Sequence, residues 1–287
     1  MQYLPPSSFA FKADATASGR AAEACLVAEF AGGRTILRRQ HVGYPSHVTR
    51  GFYLDSVRPD LLTLYLQSAS GGLYAGDRIV LDVDVGADAA FHLTTQASTV
   101  VHDGRDMGSV LEQRVSVGRG GFCAITNDPY ILFPGANLDL KTTATVAEGA
   151  VLILADGFAV HDPKNAGRSF AQFAGHLKIM RPDGRVLVRD RGGIRGNELR
   201  HGAVATMAAA AFVTMIAPPG KCPVVTALQE AADRCGCLAG ASAAPNDAGV
   251  ILRMLAPDGG TLARGLEAVF HVAGHAALGA SLARRRK

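Results

Sequence analysis

Three copies of one short pattern constrain the fold of this chain more than any other feature of its sequence. Residues 85–91, 117–122 and 147–152 each place a glycine-containing turn before a short apolar strand, at a period of about 31 residues. Such a repeat, with no helical pattern between its strands, is typical of strands stacked in layers. We therefore predict a mainly β fold, a β-helix-like stack of short strands with two C-terminal α-helices.

Alternation of side-chain character supports this prediction between residues 61 and 190. Residues 79–85 and 111–117 alternate apolar with polar or charged side chains, as strands with one buried face do. The Gly32-Gly33 pair and the Pro182-Asp183-Gly184 turn each separate two apolar runs, so we predict a hairpin at each.

The C-terminal third changes to helical spacing. Apolar side chains recur every three or four positions over residues 224–239 and 261–278, which predicts two helices. Residues 240–249 are predicted to form a loop of small residues. We expect residues 1–20 to be a flexible lead-in, followed by a single β domain over residues 21–287 whose helical element spans about 224–280.

Composition excludes several classes of protein. The net charge is only +4, and no basic run is interleaved with aromatic residues, which argues against a nucleic-acid surface. Much of the positive charge lies in residues 284–287, which we expect to be a solvated tail. The apolar run 203–217 is shorter than the roughly 20 residues of a membrane span. With no secretory signal pattern and five cysteines without framework spacing, the chain is predicted to be soluble and cytoplasmic.

Motifs of catalysis and of tight metal binding are missing from the sequence. It contains no phosphate-binding loop, dinucleotide fingerprint or nucleophile elbow, so we predict no catalytic residues. The weak metal candidates are Cys222, Cys235, Cys237, His271 and His275. The two histidines share a helix face, but Cys-x-Cys is not the usual zinc spacing and no glutamate separates the histidines. We predict no tightly bound metal.

The stretch 71–79 combines three glycines with a single acid, Asp77. One interpretation is a glycine-rich hairpin with a solvated carboxylate. The other is that Asp77, Thr94 and Thr95 line a polar site where neighbouring strands meet. Asp156 follows a buried apolar run, a position usually taken by a turn or capping residue.

The order of these motifs resembles the UreD (also called UreH) family of urease accessory proteins. Residues 71–79 resemble the family's GGLxxGDxL signature, and residues 93–97 follow at the family's distance. Residues 129–136 resemble its proline, isoleucine, phenylalanine, glycine-alanine stretch. Residues 33–37 and 252–255 resemble its first and last strands. The resemblance covers almost the whole chain, and the two central motifs are its most specific part.

The resemblance implies a role in urease maturation rather than catalysis. UreD proteins bind UreF- and UreG-type accessory proteins, dock on the urease apoprotein and help to deliver nickel to its active site. The family's proposed water-filled passage implies that nickel crosses the chain without a resident cofactor. The residues that would line it here are Asp77, Thr94, Thr95, Asp156 and His161, with Gly71, Gly72 and Gly76 as structural glycines. Hard oxygen groups would guide a partly hydrated divalent cation without trapping it.

Some positions depart from the family pattern. Val100, His102 and Asp103 replace a lysine followed by tyrosine and arginine, and Asp156 replaces a glutamate. One acidic position near residues 161–168 has become basic. Two alternatives therefore stand beside the leading hypothesis: a divergent paralogue that binds partners without passing nickel, and a β-stack enzyme or ligand-binding module.

Overall fold

The computed structural model describes residues 19–201 and 204–285, and their backbone winds as a β-solenoid of about four turns. The strands are β1 (Ala21–Ala31), β2 (Arg34–Val42), β3 (Ser46–Val48), β4 (Leu62–Ser68), β5 (Arg78–Val85), β6 (Ala90–Thr95), β7 (Val100–Val101), β8 (Ser109–Val117), β9 (Phe122–Thr126), β10 (Tyr130–Leu132), β11 (Asn137–Val146), β12 (Val151–Val160), β13 (Gln172–Met180), β14 (Val186–Arg195), β15 (Ala209–Ile216), β16 (Leu238–Ala243) and β17 (Gly249–Ala256). The helices are α1 (Gly196–His201), α2 (Val225–Asp233) and α3 (Gly259–Leu278), with a 3-10 turn at Pro245–Asp247.

Two sheets form the walls of the solenoid. The first, sheet A, has the order β14-β13-β11-β8-β5-β1-β2. The second, sheet B, has the order β16-β17-β15-β12-β9-β6-β4-β3, with β7 and β10 beside this path. Each of the central coils adds one parallel strand to each sheet, because the chain passes from β5 to β6, from β8 to β9 and from β11 to β12 through the same edge.

The repeat found in the sequence forms that edge. Its three turns lie one above another and are joined by backbone hydrogen bonds. Gly118 N donates to Val85 O at 2.7 Å, and Ala147 N donates to Val117 O at 2.9 Å. Stacking of this kind satisfies the backbone groups of each turn with those of the next. The prediction of layered strands is confirmed.

The core lies in two layers on the two sides of sheet B. Between the sheets, side chains such as Leu26, Phe91 and Leu152 are fully buried. On the outer side of sheet B, α2 and α3 cover a second layer that includes Ile153 and Phe270. Asp258 caps α3 by accepting from Thr261 N at 2.8 Å, which satisfies one of its free backbone donors. None of the helices in the described part of the chain has the length and apolar character needed to cross a membrane.

Several local predictions are confirmed and several are wrong. The hairpins β1–β2 and β13–β14 form as expected. The first C-terminal helix ends at Asp233, and the predicted loop 240–249 instead contains most of β16, which pairs with β17. Most of the predicted lead-in, residues 1–18, lies outside the described residues.

The hairpin interpretation of residues 71–79 is also wrong. The strands on either side of this stretch, β4 and β5, belong to different sheets and do not pair with each other. The stretch therefore forms a corner of the solenoid, because the chain must leave sheet B and enter sheet A there.

Candidate functional site

A row of polar side chains crosses the space between the two sheets. Gln113 on β8 and Thr142 on β11 are register partners in sheet A, and both are buried. Asp156 lies within β12 of sheet B, and Asn127 follows β9 in the same sheet. Asn127 Nδ2 donates to Asp156 Oδ1 at 3.2 Å, and Gln113 Nε2 lies 3.5 Å from Thr142 Oγ1. These four residues are called the interior row below.

Two carbonyl oxygens of the interior row lack a hydrogen-bond partner among the described residues. They are Gln113 Oε1 and Asn127 Oδ1, and both atoms are inaccessible to solvent. Leaving a buried acceptor unsatisfied costs roughly 1–3 kcal/mol, so such atoms are uncommon in a folded core. Their presence beside a carboxylate makes the interior row a place where a proton donor or a cation would be stabilised.

Two small cavities lie on either side of the Asn127–Asp156 hydrogen bond. The first, of about 70 Å³, includes Thr95, Gln113 and Asn127 in its wall. The second, of about 60 Å³, includes Thr142 and Asp156 in its wall. Each has room for about four or five water molecules. The interior row is therefore the polar boundary between two cavities whose remaining walls are mainly apolar.

Burial controls the charge of Asp156. Burial in the surrounding protein, although part of the side chain stays accessible, raises the pKa of this carboxyl group from 3.8 to about 6, against hydrogen bonds from Asn127 and Gln113 that favour the ionised form. The expectation that Asp156 ends its strand is wrong, because β12 continues to Val160. The side chain shares the inward face of β12 with Leu152 and Leu154.

An ion pair between the sheets borders the second cavity. Asp190 on β14 lines this cavity together with His176 on β13. Arg253 on β17 of sheet B places Nη2 at 2.7 Å from both carboxylate oxygens of Asp190. The guanidinium also lies 5.9 Å from the ring centre of Phe212, another residue of the cavity wall. Because 55% of the Arg253 side chain is exposed, this pair marks the outer side of the cavity.

Asp77 lies apart from the interior row, and its carboxylate forms a structural clamp with the Arg20 guanidinium and nearby backbone N–H groups. Its carboxylate is 2% exposed and pairs with the Arg20 guanidinium. Backbone N–H groups also donate to it, from Arg20 at 3.0 Å and from Tyr74 at 2.9 Å. Burial alone would raise its pKa, but these hydrogen bonds outweigh burial and hold the pKa below its usual value. The structure thus places Asp77 in a corner of the solenoid.

The glycines around Asp77 allow the corner to close. Gly72 has φ +128°, and a Cβ at this position would lie 2.1 Å from Val100 O of the next coil. Gly76 has φ +79°, with Gly19 backbone atoms 3.1 Å from the position of a Cβ. A side chain at Gly71 would meet the Tyr74 hydroxyl at 2.7 Å. These contacts explain why the stretch is rich in glycine.

Thr94 and Thr95 point to opposite faces of sheet B. The Thr95 hydroxyl accepts from Asp128 N at 2.8 Å, and its side chain borders the first cavity. The Thr94 hydroxyl faces the helices, where it donates to Thr126 O at 2.6 Å and accepts from Arg285 Nη1 at 2.6 Å. Adjacent residues of a strand always face opposite sides, so only Thr95 joins the interior site.

Arg285 holds the C-terminal segment against sheet B. Its side chain is 10% exposed and lies 3.6 Å from Asp128 Oδ1, so the prediction of a solvated tail is wrong at this residue. His92 shares this region and is 2.7 Å from Thr126 Oγ1. Complete burial, together with the nearby positive charge of Arg285, lowers the pKa of His92 to about 3.

The remaining candidates lie elsewhere. His161 follows β12 on an exposed loop, with its ring 5.6 Å from that of Phe133. Cys235 and Cys237 contact backbone carbonyls of α3, and Cys222 contacts Ala217 O. His271 pairs at 3.8 Å with Glu267 on its own helix, and His275 is exposed. Within residues 19–201 and 204–285, no group of three or more potential ligands among His, Cys, Asp and Glu is arranged to hold a metal ion.

Sequence reasoning missed Gln113, Asn127, Thr142 and Asp190. Gln113 stands at a position of the alternating stretch 111–117 where an apolar residue is expected. This exception in the pattern could have indicated a polar group inside the fold. Thr142 interrupts the inward face of β11 in the same way. Asn127 and Asp190 carried no such signal, because their positions depend on how the coils stack.

Comparison with known proteins assigns a family to the chain. The family model described as "UreD urease accessory protein" matches residues 20–287. Urease accessory protein UreD 3 of Bradyrhizobium sp. (strain ORS 278) is 65% identical over 94% of this chain and 96% of its own length. UreD 1 of Bradyrhizobium sp. (strain BTAi1 / ATCC BAA-1182) matches to the same extent. UreD 1 of Methylorubrum extorquens (strain PA1) is 43% identical over 99% of this chain and 98% of its own length.

Proposed function

The chain belongs to the UreD urease accessory protein family, and we propose that it supports urease maturation by letting nickel cross its interior. The observation that carries this proposal is the interior row, with a small cavity on each side of the Asn127–Asp156 hydrogen bond. A passage needs polar groups where a protein core is otherwise apolar, and the interior row supplies them.

The ligand chemistry of the row suits transfer rather than storage. Its side chains offer one carboxylate, two amide oxygens and one hydroxyl group, all hard oxygen donors. Tight sites for Ni²⁺ would use nitrogen or sulfur ligands in a fixed geometry. A single carboxylate attracts the hydrated ion, while the neutral oxygens replace part of its water shell. The ion is thus bound weakly enough to leave.

The route would run from Thr95, past the interior row, to Asp190. The Arg253 guanidinium neutralises Asp190 and would repel an approaching cation. Movement of this half-exposed side chain away from Asp190 would expose a second carboxylate to the ion. Asp77, Thr94 and His161 are left out of the route, because they lie in the corner, on the helix side of sheet B and on the outer surface.

The proposal includes partners. Membership of the family supports binding to UreF- and UreG-type accessory proteins and to the urease apoprotein, with this chain as the scaffold between them. Nickel is then cargo, and no resident cofactor is required.

Co-expression with urease and the other accessory proteins tests the proposal. Asp156→Asn keeps the shape of the side chain but removes its charge, and should lower the nickel content and activity of the purified urease. Thr95→Val should act in the same direction. Thr94→Val is the matched control, because it makes the same change on the adjacent residue of the opposite face.

Partner binding must be measured in the same cells. Pull-down of a UreF-type protein and of urease by Asp156→Asn should equal that of the unchanged chain. If urease matured with Asp156→Asn carries full nickel, the interior route is refuted. If urease matures fully without this chain, the role in maturation itself is refuted.

A further inference from the structure

The outer face of sheet A is a broad charged surface. Its six strands from β14 to β1 lie side by side, with alternate side chains pointing away from the core. In the described part of the chain, α2 and α3 pack against strands of sheet B. The outer face of sheet A is called the flat face below.

Charge is divided unequally across the flat face. The acidic half carries Glu23, Asp82 and Glu112 on β1, β5 and β8, and the basic half carries Lys141, Lys178, Arg189 and Arg191 on β11, β13 and β14. Asp139 on β11 also faces outward in the basic half, where it pairs with Lys141 at 3.0 Å. Arg114 lies at the boundary, where it pairs with Glu112 at 2.8 Å. Within residues 19–201 and 204–285, no ion pair joins Lys178 or Arg191 to an acid of the same chain.

Crowding of like charges is evident in the acidic half. Partial burial raises the pKa of Asp82, and the neighbouring carboxylates Glu23 and Glu112 raise it further, whereas Arg114 lowers it. Cations placed over this half from outside would relieve that repulsion. The flat face therefore favours a partner whose surface is basic opposite the acidic half and acidic opposite the basic half.

We infer that this partner is a second copy of the chain, joined flat face to flat face about a two-fold axis that runs parallel to the strands between β8 and β11. Such an axis places β1 opposite β14 of the second copy, β5 opposite β13 and β8 opposite β11. The acidic half of each copy then covers the basic half of the other. An interface of this kind is isologous, so every contact occurs twice.

The register of sheet A determines which residues meet. A level is a set of residues that are register partners from strand to strand across sheet A. One level contains Glu23, Glu112, Lys141 and Arg191. The two-fold axis therefore pairs Glu23 with Arg191 and Glu112 with Lys141 of the other copy. On the next level, Asp82 meets Lys178. Each of the three acids thus faces a base.

The neutral positions complete the match. On these levels Arg114 falls opposite Thr143, His176 opposite Val80, and Arg189 opposite Cys25. No like charges face each other on the two levels. The basic edge strand β2, with Arg38 and Arg39, lies beyond the six overlapping strands and so does not oppose Arg191.

The area is sufficient for a stable dimer. Six strands spaced about 4.8 Å apart span about 29 Å, and eight residues at about 3.3 Å each extend about 26 Å. The overlap is therefore about 750 Å² for each copy. Specific protein–protein interfaces bury about 800 Å² on each side.

Sedimentation velocity of the full-length protein tests the inference. At about 50 mM salt the unchanged chain should sediment as a dimer, and at about 500 mM salt it should dissociate, because exposed charges are screened. The double reversal Lys178→Glu with Arg191→Glu should weaken dimerisation by about 100-fold or more. Lys221→Glu with Arg234→Glu, two basic residues away from sheet A, is the matched control and should leave the dimer intact.

Mixing two variants separates loss of the interface from loss of the fold. Glu23→Lys with Asp82→Lys should also be monomeric, but it should form a heterodimer with the Lys178→Glu, Arg191→Glu variant, because the reversed charges again match. Native mass spectrometry identifies that species by its mass. A monomeric unchanged chain at low salt, or two reversed variants that do not pair when mixed, would overturn the inference.

Discussion

The replacement Asp156→Asn should stabilise the protein near neutral pH while it impairs nickel delivery. The Asp156 side chain is half-buried, and the desolvation of its carboxyl group raises the pKa to about 6 from the ordinary 3.8. A displacement of about 2 pH units corresponds to about 3 kcal/mol of free energy. The ionised carboxylate therefore destabilises the folded chain by about that amount at pH 8.

The sign of the pH dependence follows from proton binding. Between pH 4 and pH 6 the folded chain holds the Asp156 proton and the unfolded chain has released it. Raising the pH through this window therefore lowers the free energy of unfolding, and above it the loss is complete. Asparagine does not titrate. The stability advantage of Asp156→Asn should thus be near zero at pH 4 and about 3 kcal/mol at pH 8.

The interior row can accommodate the new amide. Asparagine can still accept from Asn127 Nδ2 through its carbonyl oxygen. Its NH₂ group can donate to Gln113 Oε1, which has no partner among the described residues, after rotation of the Gln113 amide. That rotation loses the long 3.5 Å contact with Thr142 and reverses the direction of the hydrogen bond between Gln113 and residue 156. No buried donor of the new residue is left unsatisfied, so the gain from removing the charge should be retained.

Urea unfolding followed by far-ultraviolet circular dichroism is the suitable assay, because the chain has no tryptophan. Both proteins are measured from pH 4 to pH 8, and the difference between their free energies of unfolding is plotted against pH. Asp106→Asn, at an exposed position, is the control and should give a flat difference near zero. A flat difference for Asp156→Asn, or a destabilisation at pH 8, would refute the reasoning.

Three further replacements test the corner and the C-terminal segment by urea unfolding. Arg20→Ala should destabilise by about 3 kcal/mol, because it leaves the buried Asp77 carboxylate without its cation. Arg285→Ala should cost about 1–3 kcal/mol through lost hydrogen bonds to sheet B, whereas Arg284→Ala, an exposed neighbour, should cost little. Gly72→Ala should cost at least about 3 kcal/mol because of the Val100 contact. Gly32→Ala, with φ +60° and open space, should cost about 1 kcal/mol.

Each comparison can fail in its own way. If Arg20→Ala were as stable as the unchanged chain, water would be able to take the place of the Arg20 guanidinium beside the Asp77 carboxylate. If Arg284→Ala and Arg285→Ala lowered the free energy of unfolding equally, Arg285 would not be the residue that holds the C-terminal segment against sheet B. A Gly72→Ala variant no less stable than Gly32→Ala would show that the corner relaxes around a side chain.

The local order of strands was predictable because each strand carries its own pattern. Residues 79–85 and 111–117 alternate in character whatever surrounds them, and the turns of the 31-residue repeat need glycine for their backbone geometry. The boundary between α2 and β16 was not predictable in the same way. Small residues such as those at 238–243 have no strong preference, and pairing with β17 decides their conformation.

The structure brings only some of the predicted site residues together, for reasons that differ from residue to residue. Thr95, selected from the sequence pattern, and Asp156, selected by the family resemblance, line the two cavities. Asp77 and Thr94 were selected from the same pattern as Thr95, but they lie in the corner and on the helix side of sheet B. A sequence motif identifies residues that belong together in a family. It does not show whether those residues line a site or stabilise a corner of the fold.

The sequence by itself determined a layered β chain, its turns and its family, because periodicity, glycine content and motif order are properties of the chain read in one dimension. Only the tertiary structure decided which polar residues meet. Gln113 and Asp156 are 43 positions apart, counted from their numbers, and come together because β8 and β12 lie in opposite walls of the same solenoid. Arg285 reaches Thr94 across 191 positions for the same kind of reason. Stacking of the coils, with the burial it imposes, turns scattered polar side chains into one interior site.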